Sequence, residues 1–269
     1  MIKSEIYNQE AMRLRFEREA RAVARIEHPG VVAIFDYGEI EDGSLYIVME
    51  WLRGLDLARV LQLQGAGRPR DVAALLRQAG AALEAAHRSQ LVHRDIKPAN
   101  IFLTAAPGGF VVKILDFGVA KELSRDAKAT QTGFIIGTPR FMSPEQLLGK
   151  PVDARSDIYS LAAVVFQALT GERLVRAEDF AQVLVEVINQ EPPRVSAILA
   201  QAPKELDQLF GQALAKDADQ RPENVEEWAI ELADALAKLR GDRQSWRIEV
   251  EPEADNGLDD GEETHVFPH

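Results

Sequence analysis

With 269 residues, 46% of them hydrophobic, the chain is long enough for one two-lobed domain with a tail, or for two small domains. A formal charge of -12 argues against a nucleic-acid partner, whose phosphates call for clustered Lys and Arg, and the lack of cysteine excludes disulfides and thiolate metal sites. No apolar run reaches the ~20 residues that span a bilayer, and the first ten residues form no apolar signal region, so the chain reads as soluble, intracellular and cytoplasmic.

In chain order, Met12, Phe16, Ala20 and Val23 recur at helical spacing and predict a helix over residues 4–26. The His28-Pro29-Gly30 run ends it. Strand-like runs follow at 31–37 and 45–51, joined by a turn at Asp42-Gly43. Gly54 breaks the chain before a short helix over 55–63. Asp71 reads as the N-cap of the next helix, with Leu75, Ala79, Ala82, Leu83 and Ala86 on one apolar face. Short strands at 101–103 and 111–115 flank the Pro107-Gly108-Gly109 turn. The stretch 116–145 is too long for a plain connector and reads as functional. Residues 158–169 are apolar nearly all round and predict a buried central helix, with further helices near 177–189, 204–215 and 225–239. From Gly241 onward nine acidic and two basic side chains predict a solvated, disordered tail. There is no internal repeat.

Three strings stand in a fixed order: His93-Arg94-Asp95 with Lys97 and Asn100, then Asp116-Phe117-Gly118, then Ser143-Pro144-Glu145. Singly each is a weak signal; in this order and between these elements they leave little room for chance. Together they resemble the catalytic loop, the metal-binding DFG element and the APE-type element of protein kinases. The likeness covers about residues 1–240 and is closest to the eukaryotic-like serine/threonine kinases of bacteria.

This resemblance implies an α+β, bilobal fold. Residues 1–52 would be a partial small lobe (the C helix and two strands) with the hinge, 53–240 a mainly helical larger lobe, and 241–269 the acidic tail. It also implies ATP and Mg2+ as cofactors and Ser/Thr of a protein as substrate. Phosphoryl transfer asks mainly for positioning and charge neutralisation. Asp95 would orient the hydroxyl and accept its proton. Asn100 and Asp116 would share the magnesium, Lys97 would neutralise charge on the moving phosphoryl group, and Thr138 would support Asp95 and Lys97. His93 and Phe117 would stack in an internal spine with Val23 and Ile34. Glu145 and Arg221 would form a buried ion pair, and Asp157 would bond to the catalytic-loop backbone. Met49 would be the gatekeeper, with adenine held by the backbone of Glu50 and Leu52.

Thr130 and Thr132 fall in a segment resembling the activation loop, where another copy of the kinase phosphorylates such threonines. Arg94 supplies the charge to order a phosphorylated loop; the plain alternative is two ordinary polar loop residues. Glu19, on the inward stripe of the first helix, resembles the glutamate that pairs with a strand lysine. That lysine would fall immediately before Met1, and no G-x-G-x-x-G precedes the helix; Lys3 is the one nearby substitute. Three of the usual five small-lobe strands would be absent, leaving an open edge and an uncovered apolar face. Either the start is assigned downstream of the true one, which the intact catalytic set favours, or the chain is a fragment, inactive or a pseudokinase-like interaction module. A metabolite kinase of similar fold fits the threonine-bearing loop less well.

Overall fold

The computed structural model describes residues 2–117, 139–239 and 243–248, without the side chains of residues 2–9, 11, 12 and 15. Gly118, Thr130, Thr132 and Thr138 therefore lie outside the described residues.

Helix α1 (Ile2–Ala24) buries Phe16, Ala20 and Val23, the inward stripe expected from their spacing. Strands β1 (Ile34–Glu39) and β2 (Leu45–Met49) pair antiparallel, from Glu39↔Leu45 to Ile34↔Met49 with a bulge between Ile34 and Asp36. This pair is thinly covered: Phe35 is 69% and Trp51 77% exposed. It joins the larger lobe through Gly30–Val32, where Ile114 N donates to Gly30 O (2.8 Å) and Val32 N to Ile114 O (3.1 Å).

The short helix expected from residue 55 is preceded by a strand. Gly54–Asp56 is β3, antiparallel to β4 (Ile101–Ala106), which pairs with β5 (Gly109–Ile114). Gly54 sits at φ +155, and a Cβ there would lie 2.0 Å from Leu103 O, so only glycine lets the backbones meet. Asp56 then caps α2 (Leu57–Gln64) by accepting from Arg59 N.

Helix α3 (Pro69–Arg88) starts three residues earlier than expected, with Pro69 in the first helical position and Arg68 as N-cap. Asp71 is therefore not the cap. Its buried carboxylate accepts instead from Arg68, from Ser245 Oγ (3.0 Å) and from Trp246 N (3.1 Å). Residues 243–248, assigned above to the tail, thus pack on the larger lobe. Trp246 is 5% exposed and donates its Nε1 to Gly65 O at 3.2 Å. Its ring occupies the space where a Cβ on Gly67 would come within 2.5 Å. One amphipathic side chain does what charge counting misses: it buries a ring and satisfies its N–H.

Among the described residues the remaining α-helices are α4 (Pro144–Leu147), α5 (Ala154–Thr170), α6 (Phe180–Asn189), α7 (Val195–Ile198), α8 (Lys204–Ala213) and α9 (Val225–Ala237). The central helix is as buried as its composition demands, with nearly every side chain from Ser156 to Thr170 excluded from solvent. Asp153 caps its start, and Gly171, in the left-handed region at φ +81, ends it. Helix α9 packs along α3 and completes the core.

Two of the expected scaffold residues meet here. Arg221 donates from both terminal nitrogens to Glu145, at 2.7 and 2.8 Å, lies over the Tyr159 ring at 5.0 Å, and bonds Ala215 O through Nε at 2.8 Å. Ser156 Oγ also donates to Glu145. Burial pushes the Glu145 carboxyl up, but the bonds from Arg221 and Ser156 outweigh it and hold its pKa at about 2.

Truncating Trp246→Ala should cost about 3 kcal/mol, read as a lower urea midpoint at unchanged slope. Glu145→Gln leaves Arg221 buried without its anion and should cost about 3–5 kcal/mol. The folded pKa of Glu145 lies below its ordinary 4.5, so the pair contributes fully above pH 4.5 and is lost as pH falls toward 2. The acid limb of stability against pH should flatten in Glu145→Gln.

Candidate active site

Helix α3 ends at Arg88, and the chain turns through Gln90, at φ +59, into an irregular segment that carries His93, Arg94, Asp95 and Lys97. No regular ladder satisfies this backbone, so its shape depends on side chains reaching in from elsewhere. The main one is Asp157, in the first turn of α5 and fully buried. Its Oδ2 accepts from His93 N and its Oδ1 from Arg94 N, both at 2.8 Å, while the His87 ring meets Oδ2 at 2.8 Å. These bonds hold Arg94 at φ +64, a conformation a non-glycine residue adopts only under constraint. From the other side Gln146 Nε2 donates to Arg94 O at 2.7 Å. Both backbone groups of Arg94 are thereby fixed.

His93 is wholly buried. Its Nε2 donates to Leu115 O (2.7 Å), its Nδ1 accepts from Asp95 N (3.2 Å), and its ring meets Phe117 with centroids 4.6 Å apart. One donor and one acceptor define the neutral tautomer as read from its partners. Burial is the main reason its pKa is held below the ordinary histidine value. Val23, buried, and Ile34, partly buried, belong to the same apolar cluster as Phe117.

Asp95, Lys97 and Asn100 form one contact group. Lys97 Nζ donates to Asp95 Oδ2 at 2.9 Å, and Asn100 Nδ2 donates to both Asp95 O (2.9 Å) and Asp95 Oδ2 (3.1 Å). The 3-10 turn Pro98–Asn100 makes this possible by folding Asn100 back over the aspartate. Asp116 is linked to this group through its chain neighbour. Leu115 N donates to Asn100 O at 2.9 Å, and Leu115 O accepts a hydrogen bond from His93 Nε2. The next residue, Asp116, lies at φ +49 with an exposed side chain, and Phe117 is buried behind it. With Asn100 Nδ2 committed to Asp95, no donor among the described residues reaches Asn100 Oδ1. That amide oxygen and the Asp116 carboxylate are hard donors suited to a small divalent cation whose other ligands are phosphate and water.

The positions expected to form the hinge are less closely drawn in. Met49 ends β2 at 38% exposure, and Leu52 is partly buried. Glu50 is held on three sides: its N donates to Ala33 O (2.9 Å), and its Oε1 accepts from Ala33 N (2.8 Å) and Lys113 Nζ (2.5 Å). Glu19 lies partly buried on the inward stripe of α1.

His87 and Gln146 were not singled out in the sequence. Gln146 carried a usable signal, since Ser143-x-x-Gln146 has capping-box spacing and Ser143 N does donate to Gln146 Oε1 at 3.0 Å. Nothing local announced its second bond to Arg94.

The arrangement matches known proteins. Residues 1–239 fit the family model described as protein kinase domain. The chain is 35% identical over 271 residues to "Serine/threonine-protein kinase PknB" of Mycobacterium tuberculosis, covering 99% of this chain and 41% of that protein. It is 36% identical over 236 residues to the protein of that name in Mycolicibacterium smegmatis, covering 86% and 37%. The chain thus spans well under half the length of these relatives. Among solved structures, the PknI kinase domain of Mycobacterium tuberculosis superposes with a TM-score of 0.65 at 27% identity, over 84% of this chain and 79% of that one. An aspartate bonded to a nearby lysine and asparagine, in this fold and with these relatives, places the chain in the protein kinase domain family.

Proposed function

We propose that this chain is the catalytic domain of a kinase that transfers the terminal phosphoryl group of ATP to Ser or Thr in proteins. The observation that carries the reading is the contact group of Asp95, Lys97 and Asn100 on a loop fixed by Asp157. Asp95 orients the substrate hydroxyl and takes its proton as the new O–P bond forms and the bond to ADP breaks. Lys97, already 2.9 Å from Asp95, offsets negative charge on the moving group. Asn100 Oδ1 and Asp116 would hold Mg2+, which neutralises the phosphates when bound. The lysine two residues after the aspartate supports Ser/Thr over Tyr by family resemblance.

Two regulatory readings belong to this proposal. Thr130 and Thr132 are acceptors for a second copy of the kinase, and Arg94 pairs with the phosphate so formed. Thr138 supports Asp95 and Lys97. No helix among the described residues is long and apolar enough to cross a membrane, and a cytoplasmic setting suits a kinase that draws on ATP.

The alternative is a pseudokinase-like interaction module. Such a module would bind Mg-ATP weakly or not at all and would transfer no phosphate.

In the full-length protein, Asp95→Asn should lower phosphate transfer at least about 100-fold while the circular dichroism melt is unchanged. Mass spectrometry should find phosphate on Thr130 and Thr132 in the parent and none in that variant; turnover equal to the parent would remove Asp95 from its role. Calorimetry of residues 1–269 with Mg-ATP separates the two readings: the interaction module predicts a dissociation constant of about 1 mM or more, a binding free energy of about -4 kcal/mol or weaker. Tight binding followed by transfer would instead mean that these residues alone complete the nucleotide site.

A further inference from the structure

We propose that a cationic cleft beside the catalytic loop is a subsite for acidic side chains of the protein substrate, an inference that rests on the kinase reading above. The cleft holds about 430 Å3 and lies between α2, the C-terminal end of α5 and the turn that carries Arg140. Lys97, Arg140 and Arg173 line it together with Gln62 and Gln167, and no carboxylate does so among the described residues. In a chain with 43 acidic and 31 basic side chains, this lining has the sign opposite to the net charge.

The three cations are not equally engaged. Lys97 is bonded to Asp95 at 2.9 Å. Arg140 Nε donates to Ala177 O at 2.8 Å, and its only carboxylate among the described residues is Glu178, 3.7 Å away on a side chain 86% exposed; such a pair is screened and readily exchanged. Arg173 is exposed and makes no hydrogen bond or ion pair among the described residues. Its neighbour Glu172 pairs with Arg176 instead, at 2.5 Å. Arg173 therefore offers an uncompensated positive charge at the rim, with Arg140 behind it.

Position ties this charge to substrate rather than to nucleotide. Lys97 touches the proposed base and lines the cleft at the same time, so the cleft begins one lysine side chain from the acceptor hydroxyl. An extended peptide advances about 3.3 Å per residue, so a side chain about two or three positions from the acceptor reaches it. Glu or Asp there gains charge complementarity, and Lys or Arg meets three like charges. Repulsion of the wrong peptide sharpens the choice as much as attraction of the right one.

The test is binding of labelled Ser-centred peptides to the full chain, followed by fluorescence anisotropy. The peptides carry Glu, Gln or Lys at the flanking positions and are otherwise identical. The Glu peptide should bind about tenfold tighter than the Gln peptide and the Lys peptide weakest, with the spread shrinking at high salt. Arg173→Glu should reverse the order, and Arg173→Lys should keep it. Equal affinities, or an order unmoved by Arg173→Glu, overturn the proposal. Phosphate transfer from ATP to the same peptides is read separately in the full-length protein. Binding preference without transfer upholds the subsite and defeats the kinase reading; transfer at equal rates with equal binding does the reverse.

Discussion

The buried carboxylate of Asp157 organises the site. It sits at the start of the most buried helix and accepts hydrogen bonds from two successive backbone amides of a loop that has no ladder of its own. A fully buried carboxylate is costly unless its oxygens are satisfied, and a loop with buried, unpaired amides is costly too. Each need meets the other. The His87 ring adds a third partner from the end of α3, so the two core helices and the catalytic loop are joined at one side chain. Position of the proposed base is thereby inherited from the core rather than set by the loop.

A second layer of polar contacts carries that order outward. Gln146 links the helix after Ser143 to the carbonyl of Arg94, while its neighbour Glu145 is anchored to Arg221 near the start of α9. Successive residues of one short helix thus face opposite duties, one toward the catalytic loop and one toward the scaffold. Phe117 packs on His93 and Gln146 bonds to Arg94, so both meet the same loop. Pairs of this kind contribute less through net stability than through fixing one geometry, because desolvation offsets much of their attraction. The left-handed backbones of Arg94 and Asp116 are local conformations that these outside contacts stabilise.

Much of the site was legible because its chemistry is dense along the chain. Asp95, Lys97 and Asn100 lie within six residues, so the contacts among them follow from one tight turn. Helix α5 was legible from composition, since an all-apolar helix has nowhere to go but inside. The boundaries were less so. Leu55 and Asp56 looked like the start of a helix because β3 is three residues long and owes its existence to pairing with Phe102–Thr104, a partner far along the sequence. Asp71 looked like a cap because its type and place suited one, yet the Arg68-Pro69 pair set the helix start and freed the carboxylate for Ser245 and Trp246. The charge of the last residues hid Trp246, whose burial depends on a glycine, Gly67, that leaves room for its ring.

By itself the sequence determined the fold class, the order of the main helices and the grouping of Asp95, Lys97 and Asn100. Those features rest on periodicity and on residues close together in the chain, where geometry is nearly fixed by covalent connection. Only the tertiary structure decided that His87 and Gln146 brace the loop, that residues 243–248 are clasped to α3, and that Lys97, Arg140 and Arg173 share one carboxylate-free cleft. Each of these contacts joins segments tens of residues apart. Hydrogen bonds and charges act over a few ångströms, and spacing along a chain says nothing of such distances until the core has brought the segments together.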